Sequence, residues 1–543
     1  MGIFRLSTQG GGVFMGGGVP IVANQTLDFG RLTLTGAGGT AVVNTGNTIT
    51  SASIDSGTDA DHWAVSSNGT FTPSATGISE GLSASYSLGC TFTNASGSDG
   101  ATITINTEAA TYSVIPGEIA AALTAIGTAS SAARTIKCRP GTYSSGLGST
   151  VLNDKAFVNR VTITAHNQSS KPLFTGQILD IKNTDNLTLS YLELYHATLG
   201  DTDGLIEMRN GSDNIIIDNC LIYGVFKDPY YASPYVVDTE APLGRGILLS
   251  NTCGTITITN NVIHSIAQGF VMVQACTGDL LIQGNEIYWF FQDGMYLRAL
   301  DTSDQPASVI IRDHISHDAM INDLDFFPDG PHVDHIQFDN VGTVGETWDN
   351  VTVERVRIWE GTARGVEQAQ QGIFCRGNPG SNGAQWNGMR VAGCIISLGA
   401  IVWGIGILHA KDCRIYGNTV CRPISGGGTT SVLGIRIGSE GSSGTHIIKN
   451  CVTEAIDSAG VTVGGTNCKV LGLRGATIPY SDCFDLIAGE NPESAAEMLT
   501  HFNMLALGEL DVDNSGTASV GDIGAAGSGY VNWVAKTIDT GYE

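Results

Sequence analysis

The stretch Gly246-Ile-Leu-Leu-Ser-Asn-Thr-Cys-Gly-Thr-Ile-Thr-Ile-Thr-Asn-Asn-Val-Ile263 constrains the chain most, because its two halves recur in order along most of the sequence. The first half reads Gly, apolar, any, apolar. The second reads apolar, any, apolar, any, a turn residue, Asn or Cys, any, apolar. Short apolar alternation closed by a turn signals a strand, and its return every few tens of residues marks a solenoid.

The repeat runs from about 157 to 475. Its first half starts at Gly176, Gly204, Gly246, Gly269, Gly294, His335, Gly372, Gly404, Gly434 and Gly460. Behind those starts, Leu205, Ile247, Phe270, Met295, Ile336, Ile373, Ile405, Ile435 and Val461 form one apolar column, although Glu207 falls on an apolar position of its coil. The second half is more regular. Its anchors are Ile217, Ile258, Ile282, Ile311, Val353, Val391, Ile415 and Ile448, followed two residues on by Asn219, Asn260, Gly284, Asp313, Arg355, Gly393, Gly417 and Asn450. Gly and Asn tolerate a left-handed backbone, so this column predicts a recurring turn. One position further stand Cys220, Asn261, Asn285, His314, Val356, Cys394, Asn418 and Cys451. Buried amides stacked there can hydrogen-bond from coil to coil, and cysteines there serve as small apolar fillers. Histidine at position 314 therefore reads first as an internal residue.

Other features bound the function. The net charge of −25 repels phosphate backbones, which disfavours nucleic acid as a partner. No run of 18 apolar residues occurs, so no membrane span is expected. Met1-Gly-Ile-Phe-Arg-Leu6 lacks the apolar segment of a signal peptide. A protein of this kind acting outside a cell would leave by another route, release inside a virus particle being one.

Residues 1–50 form a Gly-rich segment, read either as a flexible arm or as an attachment segment ordered by a partner. Runs such as Leu82-Ser-Ala-Ser-Tyr-Ser87 and Ala101-Thr-Ile-Thr-Ile-Asn106 alternate at period two, so 51–115 is expected to be a small β-sandwich. Ile119, Ala122, Leu123 and Ile126 then lie at helical spacing, ahead of Thr135-Ile-Lys-Cys-Arg-Pro-Gly-Thr-Tyr143. In the C-terminal segment, 476–543, Ser494-Ala-Ala-Glu497 is a capping box. Residues 511–522 have the spacing of an EF-hand loop. Asp511, Asp513 and Ser515 offer side-chain oxygens, Thr517 a carbonyl and Asp522 the closing carboxylate, which points to Ca2+. The loop resembles those of dockerins; the plainer alternative is an acidic turn.

The short helix followed by a strand ending in Pro-Gly-Thr-Tyr, together with the Asn/Cys turn column, resembles the pectate-lyase-like family over about 116–475. That resemblance implies a right-handed parallel β-helix whose opening helix caps the first coil. The arrangement of a Gly-rich N-terminus, a small β domain and a β-helix, without a signal peptide, resembles a bacteriophage tailspike or tail fibre. Such proteins bind host surface polysaccharide, often cleave it, attach to other virion tail proteins through the N-terminus and are usually homotrimers. The resemblance thus implies a location in the virion tail or outside the cell.

The densest candidate site is Asp323-Leu-Asp-Phe-Phe-Pro-Asp-Gly-Pro-His-Val-Asp-His-Ile-Gln-Phe338, which includes Asp329 and runs into a coil whose Gly is replaced by His335. His332-Val-Asp-His-Ile-Gln337 is similar to a run found in many β-helix proteins that act on polysaccharides, with His335 as the departure. Alternation directs His335 and Gln337 outward. Asp293 and Asp334 stand directly before consecutive coil starts, which puts them about 5 Å apart if the coils stack in register. That spacing suits a retaining glycosidase pair; the alternative is that each Asp bonds to its local backbone. The outward column Tyr223, His264, Tyr288, His317 and Trp359 suits stacking against sugar rings or, equally, packing between coils. A lyase would require a base, for which Arg298 and Arg376 are placed. The expectation is thus an all-β protein, a right-handed parallel β-helix with N-terminal β modules and a small helical C-terminal segment. Three functions remain open: a depolymerising tailspike, a non-catalytic virion or adhesin protein, and a secreted polysaccharide lyase.

Overall fold

The computed structural model describes residues 24–28, 39–40 and, with interruptions, 49–477; the longest interruptions are 225–243, 320–332, 360–370, 377–384 and 423–432. The Gly-rich segment is thus described only at Gln25–Asp28 and its neighbour Asn24, at Gly39–Thr40, and at residues 49–50. Of the C-terminal segment only Thr477 is described, so Asp511, Asp513, Ser515, Thr517 and Asp522 lie outside the described residues, as does Asp329. No helix among the described residues is long and apolar enough to cross a membrane.

The chain divides into two compact units. In the smaller, Ser51–Ser56, Ser85–Asn94 and Gly97–Asn106 form an antiparallel sheet, and Gln25–Asp28 adds to it in parallel. The period-two alternation puts Tyr86, Leu88, Cys90 and Phe92 on one buried face. Next, Thr111–Val114 pairs in parallel with Arg134–Cys138, so the long parallel sheet to which both belong begins just before position 116. The helix Ile119–Ile126 buries Ile119, Ala122, Leu123 and Ile126, the four residues at helical spacing, and packs on those two strands.

The larger unit is a right-handed parallel β-helix, each coil crossing three sheets. The first sheet runs from Leu179–Lys182 to Ala455–Asp457, with ten strands among the described residues. In this unit the second runs from Ile215–Asp218 to Val463–Gly464 and the third from Glu193–Tyr195 to Lys469–Val470. Strands with both faces covered read as nearly continuous apolar runs, as Gly246-Ile-Leu-Leu249 does.

The anchor column stacks in register through the second sheet, Ile217 on Ile258, Ile282, Ile311, Val353, Val391, Ile415 and Ile448. All eight turn residues that follow, from Asn219 (φ 53°) to Asn450 (φ 55°), are left-handed. Behind them the amide ladder forms. Asn285 Oδ1 accepts from both the backbone N–H and Nδ2 of Asn261 at 2.9 Å, and Asn261 Oδ1 accepts from the Cys220 N–H at 2.9 Å. The turn is sharp, two residues separating the second sheet from the third in most coils, and the ladder satisfies the backbone groups it leaves inside.

Two coil starts differ from the sequence expectation. Gly204 pairs with Arg245 and Ile206 with Ile247, so Ile206 and Met208 point inward and Glu207 outward, where it accepts from the Gly204 N–H at 3.1 Å. The adjacent apolar residues Leu205 and Ile206 made the parity ambiguous, and the carboxylate decides it, because it costs less on the outer face. The last coil of the first sheet pairs Gly434 with Ala455 and Ile435 with Ile456, upstream of Gly460.

Candidate functional site

The interruptions 225–243, 320–332, 360–370 and 423–432 each join a third-sheet strand to the next first-sheet strand. Insertions thus concentrate at one corner of the coil, where inserted chain is free to carry binding and chemistry while the strands keep their register. Bordering this corner is the row Arg245, Gln268, Asp293, Asp334 and Gln371, one residue per coil. Asp329 belongs to the segment that leads from the strand of His317 to the strand of Asp334.

Hydrogen bonds run along the row. Arg245 Nε donates to Gln268 Oε1 at 3.1 Å, and Gln268 Nε2 donates to Asp293 Oδ2 at 3.1 Å. The backbone N–H of Asp334 donates to Asp293 Oδ1 at 3.2 Å. Asp293 is 5% exposed and Asp334 fully buried. Burial pushes the Asp293 carboxyl up to about 7, against the bonds from Gln268 and Asp334, and nearby Asp339 adds to the rise. Burial and then the charge of Asp293 hold Asp334 well above the ordinary carboxylate range, with Arg376 opposing. Two carboxyls so placed do not both ionise, so at neutral pH Asp334 keeps its proton while Asp293 sits at the edge of losing its own. One group can donate a proton and its neighbour can act as base or nucleophile.

Polar residues flank the two carboxyls on the outer face. Tyr296 Oη donates to Asp339 Oδ2 at 2.9 Å, and Arg298 Nε lies 3.8 Å from the same oxygen. Arg298, Asp339 and Arg376 are register neighbours, and Gln337, 4% exposed, stands between Tyr296 and Phe374. Tyr296 and Asp339 were not singled out by sequence reasoning. The signal available was their parity, since each falls on an outward position of a strand whose inward residues are apolar.

His335 does not point outward. It is fully buried, its Nδ1 lies 2.8 Å from Ser316 Oγ, and its ring packs edge-on to Phe290 at 5.3 Å. The alternation breaks because coil starts lie inside the corner. A Cβ at Gly246 or Gly269 would come within 2.6 Å of Ile263 or Ile287 Cγ2. Ser316 holds the place of an isoleucine in the column Ile263, Ile287, Ser316, Ile358, and its small side chain, which faces Gly294, leaves the volume that the His335 imidazole enters. Burial pushes the His335 imidazole down to about 3, so it is neutral. His314 is also fully buried in the turn column and is pushed down to about 3 by burial, which removes it as a proton donor.

The aromatic column forms as expected but with its faces covered. Tyr195, Tyr223, His264, Tyr288, His317 and Trp359 are register neighbours on the third sheet. Successive centroids from Tyr223 onward are 5.2, 4.8, 5.0 and 4.5 Å apart, with planes within 15° of parallel. Rings stacked on one another leave their edges to an outside molecule, so the column packs coil on coil, and Trp359 is 2% exposed. Within it His317 is held by Asp318 (Nδ1, 2.9 Å) and Glu286 (Nε2, 3.1 Å). Burial pulls its pKa down, but these carboxylates outweigh that and raise it to about 9. Among the described residues no group of His, Cys, Asp and Glu side chains gathers to hold a metal ion.

No family model matches the sequence, and no curated protein matches it. Among solved structures, the A-module of the mannuronan C-5 epimerase AlgE6 of Azotobacter vinelandii is similar over 65% of this chain and 93% of that one, at 12% identity and a TM-score of 0.21. A likeness of that size adds no argument to the fold described above.

Proposed function

We propose that this chain is a polysaccharide-binding β-helix protein of the tailspike or tail-fibre kind, with glycoside-cleaving chemistry at Asp334 and Asp293. The observation that carries the proposal is the buried carboxyl pair, Asp334 bonded through its backbone N–H to Asp293 Oδ1, at the corner that takes the insertions. Asp334, which keeps its proton, would donate to the glycosidic oxygen. Asp293, positioned by Gln268 and the Asp334 N–H, would attack or activate water. Strand spacing sets the two backbones about 5 Å apart, close enough for the carboxyls to adopt the roughly 5–5.5 Å separation of retaining enzymes, so retention is the expected outcome. Gln337, Arg298 and Asp329 are the further residues proposed to meet substrate or to assist at this corner. Attachment to other virion tail proteins through 1–50, a homotrimeric state, and Ca2+ at 511–522 complete the reading.

The test is incubation of the purified chain with host-surface polysaccharide, followed by sizing of the products. Asp334→Asn should lower oligosaccharide release by at least about 100-fold, the usual contribution of a positioned acid, and leave binding unchanged. Release that survives the substitution would remove Asp334 from the chemistry.

A second reading is favoured by the same burial and by the covered ring faces: a non-catalytic virion protein or adhesin. It expects glycan binding at most, with no products from either the parent chain or Asp334→Asn. A lyase finds less support, because Arg298, one of the bases it would need, is engaged with Asp339 at 3.8 Å.

A further inference from the structure

Twelve cysteines are present, and the described ones are free thiols. Two of them meet across the last described coils. Val452 pairs with Lys469 and Thr453 with Val470, and the Lys469 N–H donates to the Cys451 carbonyl at 2.9 Å. Cys451 and Cys468, one residue earlier on each strand, therefore occupy the same column in consecutive coils. Neighbouring strands lie about 4.8 Å apart, inside the range of about 4.4–6.8 Å between Cα atoms that a disulfide spans. Cys468 Sγ points back toward the preceding coil, reaching the Ile448 carbonyl at 3.6 Å.

Their surroundings differ in a way that gives each a role. Cys451 is fully buried, between Asn418 Nδ2 at 3.8 Å and the Lys449 carbonyl at 3.4 Å. Cys468 is the one described cysteine that is not buried. Cys253 and Cys276 also stand in register, yet they are 1% and 0% exposed, so no reagent reaches either without unfolding.

We propose that Cys468 is a modification site for small-molecule disulfides, and that its reaction ends in a Cys451–Cys468 disulfide stapling the last described coil to the one before it. In the first step the Cys468 thiolate attacks one sulfur of the reagent, and the other sulfur leaves as a thiolate with the electron pair of the broken bond. In the second, Cys451 gives its proton to that thiolate and attacks Cys468 sulfur, expelling the second half of the reagent. Two protein thiols are oxidised to one disulfide and the reagent is reduced to two thiols. The adjoining Cys451 side chain holds the Cys468 thiol down to about 7, against burial, which supplies the nucleophile at neutral pH.

The experiment uses the full chain, folded, with oxidised glutathione as the probe. Intact mass should fall by two hydrogens, and peptide mapping should find Cys451 joined to Cys468. The unfolding midpoint should rise by a few degrees and return on reduction. Cys468→Ser should give neither change, and Cys451→Ser should stop at a glutathione adduct on Cys468. A persistent adduct on Cys468 in the unsubstituted chain, an unreacted Cys468, or a disulfide between other cysteines would each overturn the proposal. Mapping of the unsubstituted chain decides the matter even if a variant folds poorly.

Discussion

Burial acts in opposite directions on the acids and bases of this chain, and the outcome at each residue depends on its partners. At Asp293 and Asp334 nothing outweighs desolvation, so both carboxyls are held above the ordinary carboxylate range, Asp293 to about 7. At His317 two carboxylates do outweigh it. Stacked between Tyr288 and Trp359, at 5.0 and 4.5 Å, the His317 cation also gains from both ring faces. Its folded pKa, about 9, lies above its unfolded value of 6.5. The stabilisation is therefore complete below pH 6.5 and is lost as pH rises through about 9. At ~1.4 kcal/mol per pH unit of displacement, it amounts to on the order of 3–4 kcal/mol. His317→Gln should accordingly be less stable than the parent by about that amount at pH 6, and the gap should close by pH 10. Urea midpoints across that interval check it, and a gap independent of pH would show that His317 acts by packing alone.

Among the elements, the corners decide what the strands can carry. The turn after the second sheet was legible residue by residue, because a left-handed backbone selects Asn and Gly and the column behind it selects amides and cysteines. The corner before the first sheet was legible only as a row of glycines. Why glycine stands there depends on Ile263 and Ile287, which lie on another sheet and bear no sequence relation to it until the fold is known. For that reason His335 read as a broken rule and an outward site residue, whereas Ser316, 19 residues upstream, had already made room for it. The exchange is testable as a cycle. Ser316→Ile alone should overpack against the imidazole and cost roughly 1–3 kcal/mol. His335→Gly alone should leave a cavity and an unpaired hydroxyl, at a similar cost. Together they recreate the Ile/Gly arrangement of the neighbouring coils, so the double variant should regain at least about 1 kcal/mol relative to the sum. Strict additivity in denaturant midpoints would mean that the two positions do not share this corner.

On the scale of the whole molecule, the repeat carried most of what could be read, since each coil repeats one set of rules and errors in one coil are corrected by the next. What it could not carry is chemistry between coils. Gln268, Asp293 and Asp334 come from three coils, and only their register brings them into hydrogen-bonding distance. The same architecture separates the chain's regions energetically, because a coil touches only its neighbours and a disturbance at one end decays along the stack. Calcium at 511–522 should therefore act locally. Tb3+ luminescence should report one site in the full chain, displaced by Ca2+ and lost in Asp511→Ala, since removing one of the chelating carboxylates weakens a site that relies on charge. Chelation should leave the main unfolding transition of the β-helix in place, because each coil is held by its neighbours and passes little of a disturbance along the stack. If chelation instead melts the strand signal in circular dichroism, the ion belongs to the scaffold and a metal site within the β-helix must be sought.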